Sequence, residues 1–276
     1  METQSFYDYL EKTFPIKTSG TIPSYKKALL ILDTLFRDQD IFHLDGMPLR
    51  DIKDPALIAR IVDYVVDEED KFKKGKESFF SSDLSIPPSY AKGGFCSAAI
   101  RKLRDYINEI SRYESVALMS KYRNRGAKLS KELMDKFKLN GEDTEKEAVV
   151  KRRIGQDIFR AMLLKIYNSK CCLTGLDVPE VLRASHIIPW SKDEKNRLNP
   201  ENGLCLSATY DAAFDKHLIS FDEDYRLVLS KALKEEYSSE AFKTYFLDFE
   251  GKAIQMPSMF RPSQAYLEKH RSQLVG

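Results

Sequence analysis

Apolar residues recur at helical spacing in three stretches of the first part of the chain. Over residues 25–36, Tyr25, Leu29, Leu32 and Phe36 fall on one face behind Thr21, Pro23 and Ser24, which are start signals for a helix. Over residues 55–66 an Asp-Pro start precedes Leu57, Ile58, Ile61, Val62 and Val65, and the pattern predicts a helix ending in the acidic run Asp67, Glu68, Glu69, Asp70. A third helix is expected over residues 97–110, after Gly93-Gly94 and the polar, proline-containing stretch 78–90. It turns Ile100, Leu103, Ile107 and Ile110 inward and carries Arg101, Lys102 and Arg104 along an outer edge. Residues 113–150 are poor in apolar positions and hold the turn-like Asn140-Gly141, so they are expected to connect two domains with some helix.

The pattern changes at Lys151. Ile154, Ile158, Met162, Leu163 and Ile166 form a helical stripe through residues 151–170, which hold six basic side chains against the single acid Asp157. Short β-branched and apolar stretches follow. A strand pair is expected around Thr174-Gly175, with further extended segments at 181–188 and 204–206 and a short helix over 208–215. On that helix Asp211 and Asp215 stand one turn apart. The reading is therefore α+β: a helical N-terminal domain (1–112), a connector (113–150) and a C-terminal domain (151–276) whose aromatic tail, with Phe242, Tyr245, Phe246 and Phe249, packs back on its core.

Composition narrows the classes. With 42% hydrophobic and 31% charged residues in 276, the chain is too apolar for disorder and too interrupted by charge for membrane spans. Cys96, Cys171, Cys172 and Cys205 contain no CxxC pair and are too few for a disulfide framework. The N-terminus has neither a basic nor an apolar signal region, so a reducing cytoplasm is the expected location and no membrane partner is expected. A net charge of only +2 does not announce nucleic acid; the positive charge is local, in residues 151–170.

Those residues sit directly before a candidate site. His186 closes an extended segment, Asn202-Gly203 follows, and the acids Asp211 and Asp215 come next. An imidazole with an ordinary pKa near 6.5 can take a proton from water at neutral pH, which predicts turnover that rises through that pH. Carboxylates one helical turn apart can share a hard divalent cation.

Around these residues run Arg153, Gly155, Gln156, Phe159 and Arg160 (RxGQxxFR); Cys171, Thr174 and Gly175 (CxxTG); His186, Ile187, Pro189 and Trp190 (HIxPW); Asn202, Gly203 and Leu204 (NGL); and Phe214-Asp215 with Leu218-Ile219. This series resembles the HNH nuclease family, of ββα-metal fold, and within it the restriction endonuclease branch. The resemblance implies that His186 is the general base, that Asn202 braces the hairpin, and that Asp211, at the family's final H, holds the metal with Asp215 beside it. Two departures stand out: Ser185 occupies a position that is often Asp, and Asp211 replaces His, which favours Mg²⁺ or Mn²⁺ over a softer metal. Thr174 and Ala208 stand where a zinc knuckle would have cysteines, so no structural zinc is expected. Lys151, Arg152, Arg153, Gln156 and Arg160 are expected against DNA phosphates, and Trp190 is expected to pack the domain. The function implied is metal-dependent cleavage of double-stranded DNA in restriction or phage defence, by a homodimer. The alternatives are a nonspecific toxin-like nuclease with a regulator-binding N-terminal domain, and a degenerate domain that only binds DNA.

Overall fold

In the computed structural model, which describes residues 5–14, 20–82, 86–141 and 144–276, the chain divides into two units. One comprises Met1–Ser111 with Gly141–Ile154, the other Arg112–Asn140 with Gly155–Gly276. Parts of the sequence expectations for the N-terminus (1–4), the stretch 78–90 (83–85) and the connector (142–143) lie outside the described residues.

The first unit is built from α1 (Phe6–Thr13), α2 (Thr21–Asp38), α3 (Pro55–Lys73), α4 (Pro88–Ala91) and the first part of α5 (Phe95–Met119). Their apolar faces meet in a core that includes Leu32, Ile58, Ile61, Val65, Phe80, Ile100 and Leu103, all buried. Local signals set the starts. Ser5 and Asp8 form a reciprocal capping box at α1, and the Asp54 carboxylate accepts the N–H groups of Ala56 and Leu57 ahead of Pro55. The acidic run does not end α3 as expected. The helix continues to Lys73, because Glu68 and Glu69 turn inward: Glu68 accepts the Phe79 N–H at 2.7 Å and Glu69 the Ser97 N–H at 2.9 Å, near the start of α5. Two buried backbone donors are thereby satisfied by carboxylates.

The second unit begins in the segment expected to be a connector. Residues 113–150 instead continue α5, form α6 (Gly126–Lys136) and start α7 (Glu145–Ile166), and residues 112–140 cluster with the second unit. The low apolar content hid α6 because it buries only a narrow stripe, Leu129, Ser130, Leu133 and Met134. After α7 come β1 (Leu182–His186), β2 (Gly203–Ser207) and α8 (Ala208–Asp215), a ββα unit. β1 and β2 pair antiparallel from Leu182↔Ser207 to His186↔Gly203. The strand pair expected around Thr174-Gly175 is a turn: Gly175 takes φ +74°, and the Cys172 N–H donates to the Cys205 carbonyl at 2.7 Å.

Beyond α8, β3 (Ile219–Phe221) pairs with β4 (Leu227–Leu229), followed by α9 (Lys231–Glu236), α10 (Glu240–Tyr245) and α11 (Gln264–Arg271). The aromatic tail covers α8: the Tyr210 hydroxyl donates to the Tyr245 carbonyl, and the Tyr210 ring meets those of Phe246 and Phe249. α11 docks through His270, which stacks on Phe214 at 3.7 Å, faces Ser220 Oγ with Nδ1 and donates from Nε2 to the Phe214 carbonyl at 3.0 Å. Among the described residues no helix is long and apolar enough to cross a membrane.

Candidate active site

The site is assembled at the end of β1. Side chains alternate along a strand, so Ser185 and His186 turn to opposite faces. Ser185, buried, donates to Asp211 Oδ1 at 2.5 Å, tying the strand to the first turn of α8. His186 turns toward α7, where Phe159 stacks on its ring at 3.8 Å and 14°, and Trp190 meets it edge-on at 5.7 Å.

The same packing sets the chemistry of the imidazole. Nε2 lies 2.9 Å from the Arg197 carbonyl, which can only accept, so Nε2 carries the proton of the neutral ring and Nδ1 keeps a lone pair. No hydrogen-bond partner engages Nδ1 among the described residues. Burial pushes the His186 pKa down to about 4, against which the bond to the Arg197 carbonyl works only weakly. This revises the expected titration near 6.5: the ring is neutral through the whole physiological range.

The motif residues explain themselves in this geometry. Gly155 has no room for a Cβ, which would lie 2.3 Å from Trp190 Cη2, so the indole packs directly on the α7 backbone. At Gly203 a Cβ would lie 2.6 Å from Phe159 Cζ. Gly203 is extended, with φ −145°, so it is the ring above it and not a turn that requires glycine there. Asn202 is buried and bridges both backbone groups of Ile188, accepting its N–H at 2.8 Å and donating to its carbonyl at 3.1 Å. The segment after His186 is fixed by this pair.

Of the expected phosphate contacts, Arg152, Arg153 and Gln156 are exposed on α7 and Lys151 is half-buried. Arg160 departs from expectation. Its Nη1 donates to the Leu182 carbonyl at 2.7 Å and its Nη2 to the Pro179 carbonyl at 2.6 Å, so the guanidinium fork clamps the start of β1 to α7. His217 is half-buried, its ring 4.5 Å from that of His270 on α11, and its Nδ1 is buried without a hydrogen-bond partner among the described residues. The four thiols are buried, and burial raises those of Cys172 and Cys205, the latter to about 12.

Ser130 and Gly126 of α6 were missed by sequence reasoning. Ser130 Oγ donates to the Lys195 carbonyl at 2.9 Å and accepts the Leu198 N–H at 3.2 Å, so one hydroxyl brackets Arg197, whose carbonyl orients His186. At Gly126 a Cβ would lie 1.8 Å from Asn199 Oδ1. No motif announces either residue; only the docking of α6 on the 194–202 loop reveals them.

The residues around Asp211 suit a hard divalent cation. Its Oδ2 has no partner among the described residues, Ser185 adds a hydroxyl oxygen, and Asp215 stands one turn on. Asp215 is held above the usual carboxylate range, first by burial and then by the charge of Asp211, a repulsion that a bound cation would relieve. Among the described residues no three His, Cys, Asp or Glu side chains converge, so such an ion would draw its remaining oxygens from water or phosphate.

No curated protein matches the chain. A family model described as HNH endonuclease matches residues 171–222, a span that holds both strands of the β1–β2 pair, α8, and His186, Asn202, Asp211 and Asp215. With a histidine at the end of the first strand, an asparagine locking the loop and an acid on the following helix, the chain carries an HNH endonuclease domain at residues 171–222.

Proposed function

We propose that the protein is a divalent-metal-dependent endonuclease that hydrolyses phosphodiester bonds of double-stranded DNA. The observation that carries this reading is the neutral, oriented imidazole of His186 beside a strand end whose other face presents Ser185 and Asp211. The scissile phosphate sits at the end of β1. His186 Nδ1 takes a proton from a water as its oxygen bonds to phosphorus, and the bond from phosphorus to the departing sugar oxygen breaks. Phe159 and Trp190 hold the ring in place, and the Arg197 carbonyl keeps the second ring proton away from the attacking side. Asn202 holds the backbone at Ile188, so the strand end does not shift as charge builds on the phosphate. Asp211 with Ser185, and Asp215 nearby, would hold Mg²⁺ or Mn²⁺, which supplies Lewis-acid stabilisation of the phosphate oxygens and the leaving oxygen. Lys151, Arg152 and Arg153 are assigned to flanking phosphates.

The biological setting we assign is restriction or phage defence, in which the helical unit selects the target or the trigger. Cleavage of both strands requires two sites, which a homodimer supplies. A plasmid digest with Mg²⁺ or Mn²⁺, with sequenced ends, tests the reading. The expected result is metal-dependent cleavage at a defined set of positions that a chelator stops. Scattered ends would favour a nonspecific nuclease, and DNA binding without cleavage at any divalent metal would favour a degenerate domain.

A further inference from the structure

A second basic segment lies inside the nuclease unit, apart from residues 151–170. Between Lys121 and Lys138 the chain has seven basic side chains and two acidic ones. This segment is the turn before α6 and α6 itself. Leu129, Ser130, Leu133 and Met134 face inward, while Arg123, Arg125, Lys128 and Lys131 are exposed.

The acids here are already engaged. Glu132 takes the Tyr122 hydroxyl and lies 3.4 Å from Lys121 Nζ, and Asp135 accepts from Asn140 at 3.2 Å. Lys136 pairs with Glu114 at 3.0 Å, and Arg125 donates to the Lys121 carbonyl at 3.2 Å. Arg123, Lys128 and Lys131 form no ion pair among the described residues. The exposed Lys195 adds a further cation beside them, since its own carbonyl is held by Ser130 of α6. The acids next to it are likewise spent locally, Asp193 on Asn196 and Glu194 on Arg197.

We infer that the outer face of α6, with Arg123, Lys128, Lys131 and Lys195, is a contact surface for the nucleic-acid phosphate backbone. The inference rests on the nuclease reading and deepens it by naming where the nuclease unit itself grips its substrate. The fork of Arg160 is committed to two carbonyls, so the basic motif of α7 supplies less of that grip than its sequence suggests. A flexible lysine face suits sequence-independent phosphate contact. A lipid surface fits less well, because no large apolar side chain is exposed between Lys121 and Lys138 to enter a bilayer interface. The anchoring of α6 by Ser130 to the loop that orients His186 joins this surface physically to the catalytic strand end.

The test is the salt dependence of duplex DNA binding, measured in chelator so that no cleavage occurs, for the wild type and for Arg123→Gln/Lys128→Gln/Lys131→Gln. Each lost phosphate contact should reduce the slope of log K against log salt by about 0.9, so the triple variant should lose about 2 to 3, equally for every sequence tried. Lys243→Gln/Lys269→Gln, exposed on α10 and α11, should keep the wild-type slope, and thermal melts should confirm that both variants are folded. If the triple variant melts early, Lys131→Glu alone should still lower affinity several-fold and flatten the slope. A wild-type slope in a folded triple or single variant overturns the inference while leaving the nuclease reading intact. Loss of binding to phosphatidylserine vesicles with DNA binding unchanged overturns it in favour of a membrane. A wild type that neither binds nor cleaves DNA overturns both readings.

Discussion

At the scale of the residue, the packing around His186 sets its ionisation. A free imidazole titrates near 6.5, whereas here burial beneath Phe159 holds it near 4. In the proposed mechanism the working form is the neutral ring, present above the folded pKa, so cleavage should be flat from about pH 5.5 to 8 and fall only as pH approaches 4. A wild-type acid limb centred at 6.5 in kcat would contradict this. Phe159→Leu removes the stacked ring and admits water, so its acid limb should move upward toward 6.5. Arg160 shows a failure of legibility in the sequence. Its charge reads as a phosphate ligand, yet the backbone carbonyls of Leu182 and Pro179 take its fork, a choice that only the tertiary arrangement decides.

At the scale of the element, strongly periodic helices and the order β1, β2, α8 were readable because burial imposes 3.6- and 2-residue spacing on the sequence. What escaped were elements with narrow buried stripes and glycines whose role is close packing. α6 is the clearest case, since its contribution to the site passes through one hydroxyl. Ser130→Ala leaves the buried Leu198 N–H without its acceptor and should cost about 1 to 3 kcal/mol of stability. Because the same change loosens the segment that presents the Arg197 carbonyl, kcat should fall with KM nearly unchanged. Unchanged kcat in a folded Ser130→Ala protein would show that α6 is a passive support. Gly155→Ala should destabilise by about 1 to 3 kcal/mol, since the added methyl meets Trp190 and the indole must shift away from His186. Denaturant melts read this directly.

At the scale of the whole molecule, a net charge of +2 conceals local cation-rich segments, and a helical stripe draws the eye to residues 151–170 before residues 121–138. The segment 121–138 belongs with the second unit, because α6 folds there. Stability should also carry a pH signature. His186 and His270 are both held near 4, chiefly by burial, below their unfolded value near 6.5. Between those values the unfolded chain binds protons that the folded chain refuses, so stability is full above pH 6.5 and declines as pH falls toward 4. Urea midpoints at pH 7 and pH 5 should differ accordingly, and His270→Gln should narrow the difference; equal wild-type midpoints would contradict the burial of these rings. The most direct test of the central claim is single-turnover plasmid cleavage by wild type and His186→Ala with saturating Mg²⁺ or Mn²⁺, alongside DNA binding in chelator. The account predicts a rate at least about 10²-fold lower in the variant with DNA affinity retained. A folded His186→Ala protein that cleaves at the wild-type rate would contradict it.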